Sequence, residues 1–231
     1  MPFFYNDPTY LLVLAALALS LIAQGMVKSA YKKYEKVPTK RGMPASRVAL
    51  EILQQNGNNL VSIQQTPGSL TDHYDPRNET LSLSEGVYNS SSVAAIGIAA
   101  HEAGHAMQKK DGYAPMAWRG FLVPVVNIGS KLSFPLILLG LIMSIESLVT
   151  AGIVLFSLAV VFSLLTLPVE LNASSRAVRM LTTGGFIDEQ EKAGVKAVLR
   201  AAAFTYVAAA LGAVLQLVRL ILISQNNRRR N

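Results

Sequence analysis

Four long apolar runs constrain the fold of this chain more than any other feature of its sequence. They cover residues 10–27, 121–145, 148–167 and 203–223. A run of about twenty apolar residues is long enough for a helix to cross a lipid bilayer. Because Gln216 and Arg219 interrupt the last run, the sequence predicts three or four transmembrane helices. The predicted fold class is a mainly α, polytopic membrane protein forming a single domain over residues 1–231.

The composition supports this prediction and excludes other classes. The chain is 51% hydrophobic and only 15% charged, whereas soluble domains carry about 25% charged residues. It contains no cysteine, which excludes disulfides and thiolate metal ligands. The net charge of +7 is concentrated beside the apolar runs, a pattern that fits anionic lipid and membrane topology rather than nucleic acid. No nucleic-acid partner is predicted.

The distribution of lysine and arginine predicts how the chain is oriented. Lys28, Lys32, Lys33 and Lys36 follow the first apolar run, which argues for a retained anchor with its N-terminus outside. The turn near residues 144–147 carries no Lys or Arg and should also lie outside. Segment 91–108 is then expected on the cytosolic side of the membrane. If the last run also spans the membrane, the arginine tail at 228–230 would end outside, against the usual tendency of positively charged residues to lie on the cytosolic side.

Segment 91–108 carries the motif with the clearest chemistry, an H-E-x-x-H sequence at His101–His105. Its alanines and a preceding serine cap predict a helix, on which residues four apart share a face. His101 and His105 could therefore bind one Zn²⁺, with Glu102 as the general base that activates a water. Ala103 and Gly104 are small enough to let another element approach closely. The simpler reading is two helix histidines without a metal, but the chain has only three histidines and two fall at this spacing.

A catalytic zinc site needs a third protein ligand, and Glu170 is the favoured candidate. It follows the third apolar run, and the hairpin of two spans would return the chain to the side of the motif. The simpler reading is a first-turn glutamate that interacts with a helix dipole. Rival ligands, although more typical of the start of the next helix, are Asp188, Glu189 and Glu191.

Other polar residues are candidates for supporting roles. Asn172, Ser174 and Arg176 could orient Glu170 or shield its charge. Tyr206 could stabilise an oxyanion, although packing is the simpler role. His73 lies in a predicted β-hairpin of residues 70–75 and 80–84 and could be a third ligand, a cleft residue or a surface residue. The edge of this hairpin could bind a peptide substrate in extended form.

Taken together, these segments resemble the bacterial membrane-bound neutral zinc metallopeptidases of the YugP type. The resemblance covers nearly the whole chain and rests on three stretches, DPTYLL, LTDHYDPRNETLSLSEGVYNSSSVAAIGIAAHEAGHAMQ (Leu70–Gln108) and LPVELNASSRA (Leu167–Ala177). It implies a membrane zinc protease with His101 and His105 as ligands and Glu102 as base. It also implies a small zincin-like subdomain of gluzincin type, in which Glu170 completes the site.

One position departs from related families. Larger membrane proteases of the heat-shock and CAAX-processing groups look similar in plan and tend to have an acidic residue four positions after the ligand glutamate. Here that position is Ser174. The departure concerns the surroundings of the ligands rather than the ligands themselves.

The sequence leaves three functional hypotheses. The first is a zinc-dependent endopeptidase that acts on peptides or proteins, including membrane proteins. The second is a non-catalytic zinc-binding membrane scaffold. The presence of Glu102 argues against it, because a structural zinc site does not require that carboxylate. The third is an intramembrane protease, which is disfavoured because the charged residues Lys109, Lys110 and Asp111 begin four positions after His105. The substrate and the oligomeric state do not follow from the sequence.

Overall fold

The computed structural model describes residues 8–228, and the N-terminal segment 1–7 and the arginines at 229 and 230 lie outside the described residues. The described chain is mainly helical and contains one small sheet. Its elements are α1 (Tyr10–Tyr34), α2 (Ala45–Gln55), β1 (Ser62–Thr66), β2 (His73–Asp75), β3 (Thr80–Ser84), α3 (Glu85–Tyr88), α4 (Val93–Lys110), α5 (Ala114–Ile142), α6 (Glu146–Thr183) and α7 (Glu189–Arg228).

Four of these helices, α1, α5, α6 and α7, are long and apolar enough to cross a membrane. This confirms the predicted fold class of a mainly helical chain with three or four candidate spans. The last apolar run, which the sequence left undecided, lies inside α7, and the described residues therefore contain four candidates.

The chain forms two compact units. The first comprises the described residues up to Ala23 together with Trp118–Leu167 and the described residues from Thr205 onward. Within it, α5 and α6 pack closely: a Cβ atom added to Gly152 would lie 2.7 Å from the carbonyl oxygen of Ser133. Glycine is therefore required at this contact, because the obstructing atom belongs to the backbone.

The second unit comprises Gln24–Ala117 and Pro168–Phe204, and it contains the sheet. The strand order is β1-β3-β2, so β3 is central. Strands β2 and β3 pair antiparallel, as the sequence predicted for a hairpin, and β1 adds a parallel strand on the other side of β3. Leu81 and Leu83 of β3 are fully buried, which anchors the sheet to the core.

Helix α2 and the sheet pack against α4. The buried residues of α2 recur at intervals of three and four, the spacing of one helix face, and are Ala45, Val48, Ala49, Ile52 and Leu53. Lys109, near the end of α4, donates to Glu79 in the turn between β2 and β3, and Tyr74 donates to the same carboxylate. These two hydrogen bonds hold the pKa of Glu79 below its usual range. The sheet is thereby fixed to α4.

Local sequence signals set where the helices of this unit begin. Ser92, the serine directly before α4, accepts a hydrogen bond from the backbone N–H of Ala95 at 3.2 Å and caps the helix, as the sequence predicted for a preceding serine. Asp188 and Glu191 form a reciprocal pair at the start of α7, since each carboxylate accepts from the backbone N–H of the other, at 2.8 Å in both cases. This arrangement is a capping box.

Candidate metal centre

Three side chains from two helices converge in the second unit. Helix α4 supplies His101 and His105, one turn apart, and α6 supplies Glu170. Their ligand atoms all lie within 4.8 Å of one another, and together they could hold a metal ion. The Nε2 atom of His101 lies 3.2 Å from Oε2 of Glu170, and the Nε2 atom of His105 lies 3.4 Å from the same oxygen.

These separations fit a zinc ion. Tetrahedral zinc binds nitrogen and oxygen at about 2.0–2.2 Å, which places neighbouring donor atoms about 3.3–3.6 Å apart. The separations of 3.2 and 3.4 Å are close to this value. Two imidazoles and one carboxylate are also a donor set of catalytic zinc sites, which leave a fourth position open.

The electrostatics of the group favour a cation. Glu170 is only 2% exposed, and a buried carboxylate requires compensation by positive charge or hydrogen bonds. Burial lowers the pKa of His105, but its hydrogen bond to Glu170 and the charges of Glu102 and Glu170 outweigh this effect and hold the pKa above its usual range. The negative charge that favours a proton on this imidazole also favours a metal ion.

Gln108 fixes the tautomer of His105. Its amide nitrogen donates to the carbonyl oxygen of Val169 at 2.7 Å and to Oδ1 of Asn172 at 3.0 Å. The first atom is an acceptor because it is a carbonyl oxygen, and the second is identified as an acceptor because Arg176 donates to it at 2.8 Å. The amide oxygen therefore faces Nδ1 of His105, at 3.0 Å. This nitrogen must donate, which leaves the lone pair of Nε2 directed at the group of three.

Ser174 contacts the other imidazole, and its hydroxyl can accept a hydrogen bond from Nδ1 of that ring. Its hydroxyl lies 3.2 Å from Nδ1 of His101, and Nε2 of the same ring faces Glu170. The same hydrogen-bond network extends to the end of α4, because Arg176, which donates to Asn172, also donates to Asp111. Asn172, Ser174 and Arg176 thus support the histidines, either directly or through Gln108.

The sequence interpretation did not single out Gln108. The signal that could have identified it is its spacing, since residues three apart on a helix are neighbours and Gln108 follows His105 by three. A fully buried glutamine next to a ligand histidine is also a typical orienting group.

Gly104 allows α6 to reach α4. A Cβ atom at this position would lie 2.6 Å from the backbone carbonyl oxygen of Ala173. Ala173 follows Glu170 by three residues and lies close to the same face of α6. The expected role of Gly104, close approach of another element, therefore has a specific partner.

We expect Gly104→Ala to weaken metal binding and destabilise the fold. The obstructing atom belongs to the backbone, so α6 must move away from α4, and Glu170 moves with it. Overpacking of this kind costs about 1–3 kcal/mol. The thermal midpoint and the zinc affinity of the purified variant measure the two effects.

Gly97→Ala is the matched control on the same helix. Its added Cβ would lie 3.3 Å from a side-chain methyl group of Val195, which can adjust by rotation. Both variants gain the same intrinsic helix propensity of about 1 kcal/mol. Equal zinc affinities in the two variants would contradict the assignment of Gly104 to the helix contact at the site.

We expect Gln108→Met to reduce zinc affinity about 10–100-fold, the usual effect of losing an orienting group. Methionine fills a similar volume but cannot accept from His105 or donate to Val169. Competition with a chromogenic chelator measures the affinity, and Gln55→Met, at the exposed end of α2, is the control. An unchanged affinity for Gln108→Met would exclude the orienting role.

The structure places the remaining predicted site residues as follows. Glu102 is buried on α4, and its charge acts on His105. His73 is exposed on β2, where its Nδ1 lies 2.9 Å from the carbonyl oxygen of Thr71, and it is not part of the group of three. Tyr206 belongs to the first unit, so its role stays a prediction.

The rival ligands have structural partners. Asp188 caps α7 and pairs with Lys40 at 2.6 Å, while Glu191 completes the capping box. Glu189 pairs with Lys192 at 2.9 Å. Among the described residues, none of these three carboxylates belongs to the candidate metal group.

Comparison with known proteins agrees with this centre. Residues 9–225 match the family model described as "Putative neutral zinc metallopeptidase", so the chain belongs to this family. A relative is the "Putative membrane protease YugP" of Bacillus subtilis (strain 168), which is 46% identical over 220 residues, covering 95% of this chain and 98% of that protein. No solved structure matches the chain significantly.

Proposed function

We propose that this protein is a membrane-embedded zinc endopeptidase in which His101, His105 and Glu170 hold the metal. The observation that carries the proposal is the convergence of the two Nε2 atoms and one carboxylate oxygen at separations of 3.2 and 3.4 Å. Family membership supports zinc and peptide hydrolysis independently.

In the proposed reaction the metal and the residues around it have separate roles. A zinc ion held by His101, His105 and Glu170 would supply Lewis acidity toward the scissile carbonyl and a water. Glu102, next to His101 on α4, accepts a proton from the attacking water and later donates one to the departing amine. Gln108 and Ser174 keep the Nε2 lone pairs of the histidines directed at the metal.

The sheet supports an endopeptidase rather than a small-molecule hydrolase. Strands β1 and β2 are the outer strands, and β2 packs against α4. An unpaired strand edge can bind an extended peptide through main-chain hydrogen bonds. We assign peptide binding to this sheet.

We also propose that the four apolar helices cross the bacterial inner membrane and that the metal centre faces the cytosol. On α1, large apolar side chains are more than half exposed, which fits contact with lipid; they include Leu11, Leu14, Leu17 and Leu21. The orientation rests on the positive charges after α1. Because the chain has no cysteine, Asn59→Cys tests it directly: a membrane-impermeant thiol reagent should label this variant only after cell lysis, and labelling of intact cells would overturn the orientation.

The test of the proposed function is metal removal and return. Protein purified in detergent should contain about one zinc per chain and cleave an unfolded protein substrate such as casein. Treatment with a chelator should abolish both zinc content and cleavage, and one equivalent of zinc should restore them. Stoichiometric zinc without cleavage of any peptide would overturn the enzyme and favour the scaffold.

A further inference from the structure

A groove of about 600 Å³ lies between the end of α6 and the start of α7 in the second unit. Its apolar floor includes Val178 and Leu199, and its α6 side carries the hydroxyls of Ser174, Ser175, Thr182 and Thr183. Neither the sheet nor the metal ligands line it. It is therefore a feature separate from the strand edge assigned to peptide binding.

The charges that line the groove all have one sign. Lys192, Lys196 and Arg200 follow one another at intervals of four on α7, and Arg179 lies on the α6 side. Like charges four residues apart repel and destabilise a helix. No carboxylate lines the groove among the described residues.

Most of these cations lack an ion pair. Lys192 pairs with Glu189 at 2.9 Å, but Arg179, Lys196 and Arg200 form no salt bridge with any described residue. A concave surface with uncompensated positive charge concentrates anions, so the groove favours a negatively charged occupant.

The groove begins beside the metal centre. Ser174 lines it, and the hydroxyl of the same residue contacts His101 at 3.2 Å. From Leu171 to Thr183 the α6 wall is about 18 Å long at the helical rise. An extended peptide of about five residues covers this length.

We propose that this groove binds an acidic segment of the peptide substrate, remote from the scissile bond. The proposal rests on the proposed function and specifies its substrate class, peptides with carboxylates several residues away from the bond that is cleaved. The occupant is a peptide rather than a lipid headgroup because the groove starts at the catalytic centre and its length matches several residues. Arg179, Lys196 and Arg200 are then specificity-determining residues.

The test measures binding separately from cleavage. In a Glu102→Gln background, fluorescence anisotropy gives the Kd of a labelled peptide with four Asp and Glu residues, and of the same peptide with Asn and Gln in their place. We expect the acidic peptide to bind at least tenfold more tightly, and Arg179→Gln/Lys196→Gln to remove that preference. The matched control Lys32→Gln/Lys36→Gln removes the same charge at exposed positions that line neither the groove nor the sheet, and it should change each Kd less than twofold.

Each other outcome overturns the proposal. Equal Kd values for the two peptides, or loss of the preference in the control variant to the same extent, would show that the groove does not select acidic peptides. If Arg179→Gln/Lys196→Gln instead loses co-purifying phosphatidylglycerol and keeps the peptide preference, the groove is a lipid site. Failure of the wild-type protein to cleave any peptide would refute the proposed function. The binding measurement would still show whether the groove selects acidic peptides.

Discussion

Glu102→Gln is expected to lower kcat for peptide cleavage by about 10²–10⁴-fold, the usual contribution of a general base. Glutamine has the same shape but cannot take a proton from water. Because Glu102 is not part of the group of three that could hold the metal, zinc content should stay at one per chain. Cleavage rates and zinc content measured on the same preparation test both statements.

The control for this variant is Glu85→Gln, which removes a carboxylate at the exposed start of α3 and should leave kcat unchanged. A Glu102→Gln variant that retains full activity would refute the assigned mechanism. A variant that loses zinc would show that Glu102 acts on the metal site itself.

Glu170→Gln is expected to have the largest effect on the metal. The substitution keeps the size of the side chain but removes the charge shared by both Nε2 atoms at 3.2 and 3.4 Å. Loss of an orienting neighbour costs about 10–100-fold in affinity, so loss of a ligand charge should exceed about 100-fold. Cleavage should fall in proportion to the zinc lost.

A thermal melt provides a readout that does not depend on activity. A ligand that binds only the folded state raises its stability, so zinc should raise the thermal midpoint of the wild-type protein and leave that of Glu170→Gln nearly unchanged. The control Glu189→Gln, at the exposed start of α7, should behave like wild type. Retention of the zinc-induced shift in Glu170→Gln would exclude this residue as a ligand.

The parts of the structure that the sequence predicted are those encoded locally. The helix at α4 follows from its composition and cap, the face shared by His101 and His105 follows from helical spacing, and the β2–β3 hairpin follows from two short strands around a turn. The four apolar helices follow from length and hydropathy. Each of these signals lies within about twenty residues.

The remaining parts depend on contacts between distant segments. Glu170 was a choice among four carboxylates, and only the geometry places its oxygen beside both imidazoles. The parallel pairing of β1, the chain of hydrogen bonds through Gln108 and Asn172, and the backbone contact at Gly104 each join residues far apart in sequence. Local pattern carries no information on such pairings, because many distant partners satisfy the same pattern.

The distance in sequence between the candidate ligands has a further consequence. His101 and Glu170 are 69 residues apart, and α4 and α6 are joined by no disulfide, since the chain has no cysteine. A bound ion would join these two helices only in the folded chain, so its binding free energy would add to the stability of the contact between them. Resistance to proteolysis should therefore rise and fall with zinc supply.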